Sequence, residues 1–229
     1  VSLNVAASTR NTRAATIRSF FAWAHDQHLI DDNPAGRLRR ARTPRRPPKR
    51  PAADDITLVL SRATWQERVL IIVLLQTMIR RAECVGLHLE DWDRAGRRLY
   101  IRGKGAHERW VELSDEAHDH LTRWAETELA GRRTGPMWPS PKRPGQGLAP
   151  RTLNTILARA GARVGVNLHP HLCRHTGASD AAAQPATSMP ALRDVLGHAS
   201  LDTTSIYAHS KRGEQSAAVA GREYGQRAS

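Results

Sequence analysis

The sequence is poor in cysteine and in long apolar runs. Its 229 residues include two cysteines, Cys84 and Cys173, too few for the disulfide framework of a small secreted domain. The longest apolar run, Val69 to Leu75, is far too short to cross a bilayer, and we recognise no signal peptide and no internal repeat. We therefore expect reduced thiols, a cytoplasmic location and no membrane partner.

Acidic residues are scarce relative to basic ones. The chain has 22 Asp and Glu against 35 Lys and Arg, a formal net charge of +13, and such an excess favours a polyanionic partner, most often nucleic acid. The segment Arg37–Arg50 holds eight basic residues, three prolines and no acid. Such a composition cannot bury a core, so it predicts an extended linker that is either merely solvated or in contact with phosphates.

Tyrosine is also rare, with three residues in the chain. Tyr100 falls in an alternating, strand-like pattern and Tyr224 in a polar tail, whereas Tyr207 closes a segment that is rich in functional groups. A single tyrosine is most often a partly buried packing residue without a chemical role. The neighbours of Tyr207 in the sequence favour a chemical role instead.

The segment 169–209 contains the parts needed to hold a phosphodiester and attack it. Arg174 offers a planar, permanently charged fork that matches two phosphate oxygens. The phenol of Tyr207 is a weak nucleophile at neutral pH. It needs a proton acceptor beside it and positive charge around the phosphate that it attacks. His171 and His198 can donate or accept hydrogen bonds near pH 7. The segment thus predicts phosphoryl transfer to an oxygen nucleophile.

Two motifs in this chain resemble the boxes of the tyrosine recombinase, or phage integrase, family. H-x-x-R at His171–Arg174 and L-G-H-x-x-x-x-T-T-x-x-Y at Leu196–Tyr207 resemble the second box. TMIRRAEC at Thr77–Cys84 resembles the first, T-G-L-R-x-x-E-L, with Arg80 and Glu83 at the matching positions. Met78 and Cys84 replace the usual glycine and leucine there. Arg81 is a second candidate for the arginine that binds phosphate. Without the second box, the i,i+3 spacing would indicate only a surface ion pair.

Lys104 completes the resemblance. It lies in the sequence Gly103–Ala106, between two alternating segments, and glycines on either side of it predict a tight hairpin turn. Lysines at exposed turns are ordinarily only solubilising. Beside the two boxes, however, Lys104 resembles the hairpin lysine of the family.

The resemblance implies a mainly α fold with a small antiparallel β-sheet (α+β). Residues 1–36 would be the C-terminal part of a helical core-binding domain whose earlier helices are missing, residues 37–52 the basic linker, and residues 53–229 the catalytic domain. The linker would pass beside the duplex, and we expect DNA contacts from a set of basic residues. These are Arg42, Arg45, Arg46, Lys49, Arg50 and Arg151.

Local patterns predict the elements. A first helix starts near Ser8, ends by Asp31 and carries one apolar side; further helices span 54–63, 66–79, 115–130 and 150–162. Ser114 and Ser188 are expected N-caps, and a helix begins at His169–Pro170. Strands are expected over 97–103 and 107–113, with Leu99, Ile101, Trp110 and Leu113 on the inner face. Residues 132–148 are expected to form a loop. The segment that starts at Asp180 is poor in large apolar residues and is expected to form a loosely packed loop.

The resemblance also implies a site-specific DNA recombinase that acts on double-stranded DNA, as a homotetramer on that DNA and without cofactor or metal. Tyr207 would attack the scissile phosphate to form a 3′-phosphotyrosyl link, with Arg80 and Arg174 on the non-bridging oxygens. Lys104 would protonate the leaving 5′-oxygen, His171 and His198 would handle protons, and Glu83 would orient Arg80.

Three alternatives stay open at this point. One is DNA relaxation like that of a type IB topoisomerase, which uses a similar residue set. Another is a truncated DNA-binding remnant without turnover. A metal site is the third, because His171 and His175 are spaced i,i+4 with His169 or Cys173 nearby, although these spacings match no zinc pattern.

Overall fold

A computed structural model describes residues 5–42, 53–103 and 108–197 of the chain. The chain divides into two compact units, Val1–Lys49 and Arg50–Ser229. Within the described residues the structure is mainly helical, with two small antiparallel sheets. The predicted fold class is therefore confirmed.

In the first unit, the helix α1 spans Ala7–Asp26. It ends at Asp26, five residues earlier than the stop predicted from Asp31 and the proline that follows. The chain leaves the helix at His28, whose φ of 55° lies in the left-handed region. The N–H of Leu29 then donates to the carbonyl of Ala24, which is typical of a helix C-terminus closed by a left-handed residue.

The predicted apolar side of α1 is largely exposed in this unit. Ile17, Phe20 and Trp23 are 43%, 56% and 53% exposed, respectively. The segment after the helix is tied back to it through Asn11, whose side chain donates to the carbonyl of Ala41 and accepts from its N–H, at 2.9 and 2.7 Å. Two hydrogen bonds thus hold the start of the basic segment against α1.

The second unit contains the remaining described elements. Its helices are α2 (Ala53–Arg62), α3 (Trp65–Thr77), α4 (Arg81–Val85), α5 (Asp115–Thr127), α6 (Pro150–Ala162), α7 (Pro170–Ala183) and α8 (Met189–Leu196). Its strands are β1 (Trp92–Asp93), β2 (Arg98–Arg102), β3 (Glu108–Glu112), β4 (Pro139–Ser140) and β5 (Arg143–Gly147), with a 3-10 turn at Leu89–Asp91 before β1.

The helix α3 is the centre of this unit. It begins with a capping box, in which the Thr64 hydroxyl accepts from the N–H of Glu67 and the Glu67 carboxylate accepts from the N–H of Thr64. Its residues Val69–Leu75 are all buried, and α5, α6 and α7 pack around it. A helix that is apolar on every side must be enclosed in this way.

The strands β1, β2 and β3 form an antiparallel sheet in that order. In the register of β2 and β3, Leu99 pairs with Val111 on the buried face, and Tyr100 pairs with Trp110 on the other. Trp110 is 41% exposed, so its predicted place on the inner face is wrong. The period of two along β3 requires Trp110 and Val111 to point to opposite sides.

The predicted loop 132–148 contains structure that its composition did not indicate. β4 and β5 pair antiparallel with an irregular register, and Trp138, just before β4, is fully enclosed. The indole N–H of Trp124, on α5, donates to the carbonyl of Met137 at 2.9 Å. This buried hydrogen bond anchors the hairpin to the core.

The last helices follow the predicted capping residues. The side chains of Ser114, His169 and Ser188 each accept a backbone N–H at the start of α5, α7 and α8, respectively. α7 continues to Ala183, so the segment from Asp180 begins as helix where a soft loop was expected. None of the described helices is long and apolar enough to span a membrane.

Candidate active site

The first box forms a tight turn between α3 and α4. Met78 ends α3 with a φ of 53°, in the left-handed region that favours glycine, and it is fully buried. Arg80 is the N-cap of α4. The carboxylate of Glu83 accepts from the backbone N–H of Arg80 at 2.7 Å and from its Nη1 at 2.9 Å. The i,i+3 spacing thus closes the start of α4 and holds the Arg80 guanidinium.

The second box places Arg174 on α7, beneath the same turn. Its guanidinium is buried and donates from Nη1 to the carbonyl of Met78 and from Nη2 to the carbonyl of Leu196, at 2.7 Å for the latter. The planar fork can serve two separated acceptors at once. Arg174 therefore connects the turn of the first box to the end of α8.

Three successive carbonyls at the C-terminus of α8 each accept from a different arginine. Arg109 donates to Val195 at 2.8 Å, Arg174 to Leu196 at 2.7 Å, and Arg80 to Gly197 at 2.9 Å. The last carbonyls of a helix lack partners within it and carry partial negative charge, so they attract cations. The end of α8 thus gathers arginines from β3, α7 and the start of α4.

Arg109 was not identified from the sequence. It is on β3, outside both boxes, and its Nη1 and Nη2 donate to the two carboxylate oxygens of Glu83 at 3.2 and 3.0 Å. Leu99 and Ile101 face the core, and Val111 pairs with Leu99, so the alternation along β3 puts Arg109 on the buried side. An arginine at an inward strand position needs a carboxylate, and this signal could have revealed it.

The carboxylate of Glu83 is held ionised by its surroundings. Its side chain is 5% exposed, and burial alone would raise its pKa. Hydrogen bonds and charge from Arg109, together with the backbone and side chain of Arg80, outweigh this effect and lower the pKa of Glu83 below its usual value. Arg80 itself is 46% exposed, so part of its guanidinium faces solvent and can meet an anion.

Two histidines occupy the start of α7. His169 caps the helix through Nδ1, which accepts from the N–H of Leu172 at 3.1 Å, and burial together with nearby His171 lowers its pKa. The two rings are nearly parallel, with centroids 6.4 Å apart. His171 is exposed in the first turn of α7, one turn before Arg174. An anion bound by Arg174 would therefore lie near His171.

Of the predicted site residues, the structure brings together Arg80, Glu83 and Arg174, and places His171 on the same helix as Arg174. Arg81 is exposed next to them, and its side chain is not part of the arginine cluster described above. Several predicted residues lie outside the described part of the chain: Lys104, His198, Tyr207, Arg45, Arg46, Lys49 and Arg50. Arg42 and Arg151 are exposed, in the first unit and in the first turn of α6.

Both cysteines and the histidines of the metal alternative lie in the described ranges 5–42, 53–103 and 108–197. Cys84 and Cys173 are free thiols buried in the core, and burial raises the pKa of the Cys173 thiol to about 12. Within these ranges no group of three His, Cys, Asp or Glu side chains is placed to hold a metal ion. The spacing of His171 and His175 is therefore not accompanied there by a third ligand.

Comparison with known proteins identifies the class. The model of the phage integrase family matches residues 53–214. The tyrosine recombinase XerD of Rhizobium meliloti (strain 1021) is 31% identical over 221 residues, which cover 89% of this chain and 70% of that protein. XerC of Serratia marcescens is 30% identical, over 86% of this chain and 67% of its own length. The chain belongs to the phage integrase family of tyrosine recombinases.

The fold agrees with this assignment. The integrase of the transposon Tn1549, solved in complex with a circular intermediate DNA, superposes with a TM-score of 0.74. The superposition covers 91% of this chain and 77% of that one, at 17% sequence identity. At this identity the likeness concerns the fold alone.

Proposed function

We propose that this chain is a site-specific DNA recombinase that cuts and rejoins double-stranded DNA through a covalent 3′-phosphotyrosyl intermediate on Tyr207. The observation that carries the proposal is the convergence of Arg80, from the first box, and Arg174, from the second, on the adjacent carbonyls of Gly197 and Leu196. His198 is the next residue in the sequence. Arg80 and Gly197, 117 positions apart, thus meet where the second box continues.

The proposed step moves charge onto oxygens that the arginines can bind. The phenol oxygen of Tyr207 forms a bond to phosphorus as the bond from phosphorus to the 5′-oxygen breaks. The phenolic proton passes to His171 or His198, and Lys104 gives a proton to the leaving oxygen. Arg80 and Arg174 stabilise the charge on the non-bridging oxygens. Rejoining is the reverse attack by a 5′-hydroxyl, so the bond is conserved without a nucleotide cofactor.

Glu83 has a supporting role in this proposal. Because its carboxylate accepts from both the backbone and the side chain of Arg80, it fixes one edge of the guanidinium and leaves the other directed at Gly197. A phosphate oxygen would replace the Gly197 carbonyl as the acceptor for Nη2. Little reorganisation is then needed when DNA binds.

The wider contacts are also part of the proposal. The basic residues Arg42, Arg45, Arg46, Lys49, Arg50 and Arg151 would bind phosphates of the duplex, and such contacts make affinity strongly dependent on salt. We propose a tetramer on DNA and, because the substrate is DNA, a cytoplasmic protein associated with the nucleoid. The matched relatives XerC and XerD are named recombinases, which favours strand exchange over relaxation and over a remnant without turnover.

A trapping experiment tests the proposal. End-labelled duplexes of randomised sequence, each nicked in one strand, lose a short fragment after cleavage, so the covalent complex accumulates. We expect a labelled adduct with the wild-type chain, none with Tyr207→Phe, and an unchanged adduct with the matched control Tyr100→Phe. An adduct that persists in Tyr207→Phe, or no adduct at any wild-type concentration, would refute it.

A further inference from the structure

Arg109 is largely enclosed at the junction of three elements and uses every nitrogen of its guanidinium. Its side chain is 11% exposed. Nε donates to the carbonyl of Val195 at 2.8 Å, while Nη1 and Nη2 donate to the two oxygens of Glu83 at 3.2 and 3.0 Å. The side chain thus joins β3 to α4 and to the end of α8. A largely enclosed arginine with complete partners is costly to replace.

One partner of Arg109, Glu83, also holds Arg80, and the other, Val195, is two residues from a carbonyl that does. Glu83 accepts from the backbone and the side chain of Arg80, and Gly197, two residues after Val195, accepts from Arg80 Nη2. The fit is tight, since a Cβ on Gly197 would lie 2.8 Å from Arg109 Nη1. Arg109 can therefore influence the position of Arg80 in two ways, through the carboxylate of Glu83 and through the end of α8. The described hydrogen bonds include none between the two arginines.

We propose that Arg109 is a positioning residue for strand cleavage, which aims Arg80 through Glu83 and fixes the end of α8 that precedes His198. This inference rests on the proposed recombinase function. It extends that function to a residue that lies in neither sequence box.

The need for a second arginine follows from the work expected of Arg80. A buried carboxylate must have a cationic partner to stay ionised. When Arg80 binds a phosphate through Nη2, the phosphate charge offsets that of the guanidinium, so Arg80 neutralises Glu83 less. Arg109 is sheltered from solvent, so it continues to neutralise Glu83 at that moment. Glu83 can then orient Arg80 throughout the reaction.

The charges around Glu83 make the role testable by pH. Within the described residues, Glu83 is bonded to Arg80 on its own element and to Arg109 from β3, and the buried thiol of Cys84 is beside it. Burial raises the pKa of that thiol, so it stays neutral. Burial raises the pKa of Glu83, and Arg80 and Arg109 lower it. Without Arg109, mainly Arg80 would oppose the effect of burial, so the pKa of Glu83 should rise.

The test measures single-turnover formation of the covalent adduct on saturating nicked duplex, from pH 5 to pH 9. Arg109→Gln should slow the step at pH 7.5 by about tenfold or more. The ratio of its rate to the wild-type rate should fall further in acid, where Glu83 becomes protonated in the variant. Taking the ratio cancels the pH dependence of the proton-accepting histidines, which is common to both chains. Arg109→Lys restores a positive charge beside Glu83, so the pH dependence of its rate in acid should resemble that of wild type. It should restore only part of the rate, because an ammonium cannot span three acceptors.

Controls separate positioning from folding. Arg193→Gln removes a partly exposed arginine of α8 that pairs with Asp194, and it should leave rate and pH profile unchanged. Urea unfolding and DNA affinity are measured on each variant, and the rates are compared where all are folded and bound. In a Glu83→Gln background, Arg109→Gln should add less than about threefold, because the two act as one unit.

Several outcomes would overturn the inference. They are a rate for Arg109→Gln within about threefold of wild type, a loss explained wholly by unfolding or weaker DNA binding, a wild-type pH profile, and a full effect in the Glu83→Gln background. If the wild-type chain forms no adduct, the recombinase function itself fails. If the adduct forms and requires Tyr207 but Arg109→Gln cleaves normally, only the role of Arg109 fails.

Discussion

Gly177 on α7 lies directly against the backbone of Leu75 on α3: a Cβ at this glycine would be 1.9 Å from the Leu75 carbonyl oxygen and 3.0 Å from Cγ of Met78. This close approach lets α7 bring Arg174, one turn earlier, under the turn of the first box. The two helices carry the two boxes, so the glycine sets the distance between them.

We expect Gly177→Ala to destabilise the fold by about 3 kcal/mol, because the obstructing atom belongs to the backbone and cannot move away like a flexible side chain. The free energy of unfolding in urea measures the effect. Gly147→Ala is the matched control, since its nearest neighbour would be at 3.4 Å, an ordinary contact, and it should change stability little. Equal stability of the two variants would contradict the packing argument.

Glu67 gives a prediction on acid stability. Burial would raise its pKa, but hydrogen bonds and charge from Arg163, together with hydrogen bonds from Thr64, lower that pKa to about 2. Because the folded pKa is below the ordinary value of 4.5, ionised Glu67 stabilises the fold above about pH 5, and the contribution is lost as pH falls towards 2. Glu67 links the start of α3 to Arg159 of α6 and to Arg163, the C-cap of α6.

We therefore expect Glu67→Gln to lower the free energy of unfolding by about 2 kcal/mol at pH 7, where hydrogen bonds to a charged, buried group are lost. The difference from wild type should shrink between pH 5 and pH 2, in urea titrations at each pH. Asp115→Asn removes an exposed carboxylate that pairs with Arg97 and should cost only a few tenths of a kcal/mol. A gap for Glu67→Gln that is constant with pH would be inconsistent with this account.

The sequence predicts best where a local rule determines the outcome. The N-cap side chains at Ser114 and Ser188 and the bounds of α6 depend on hydrogen bonds within a few residues, and they agree with the structure. The predicted inner face of β3 is wrong at Trp110: a large aromatic ring favours burial, but the alternation of a strand places Trp110 opposite to buried Val111, on the exposed side.

Long-range partners were harder to predict. The hairpin of β4 and β5 is held by a hydrogen bond from the distant Trp124 to the Met137 carbonyl, which no pattern within the loop reveals. For the candidate site, the family motifs indicated Arg80, Glu83 and Arg174. They could not indicate that the two arginines meet at the end of α8, because carbonyl acceptors leave no mark in the sequence.

Met78 occupies a position where the family motif has glycine, and two effects compete there. Replacing it with glycine would relieve a left-handed conformation that costs a side chain about 1 kcal/mol. It would also empty the space of a fully buried methionine, for which truncation costs about 2–5 kcal/mol. The cavity is the larger effect, so Met78→Gly should be net destabilising by about 2 kcal/mol.

Ala130→Gly is the control for that substitution. Ala130 has a φ of 49° and is exposed, so glycine there relieves the same conformation without leaving a cavity. It should raise the free energy of unfolding by up to about 1 kcal/mol. Opposite signs for the two variants in urea titrations support the comparison, whereas stabilisation by Met78→Gly would show that the cavity term is smaller than argued.

Arg174 has both a chemical and a structural task, and two substitutions separate them. Arg174→Ala should slow adduct formation by about 10²-fold or more, since a preorganised donor to the phosphate is lost. It should also destabilise the fold by about 2 kcal/mol, because the buried carbonyls of Met78 and Leu196 lose their donor. Arg174→Lys keeps the charge but cannot reach both carbonyls, so it should be destabilised and only partly active.

The measurements are single-turnover cleavage of the nicked duplex, DNA affinity, and unfolding in urea. Most of the affinity should remain in both variants, because the many other basic residues supply the bulk of the phosphate contacts. Arg123→Ala removes an exposed arginine that stacks on Trp65 and should cleave like wild type. A cleavage rate for Arg174→Ala within about tenfold of wild type would remove Arg174 from the phosphate site and leave it a purely structural link between the two boxes.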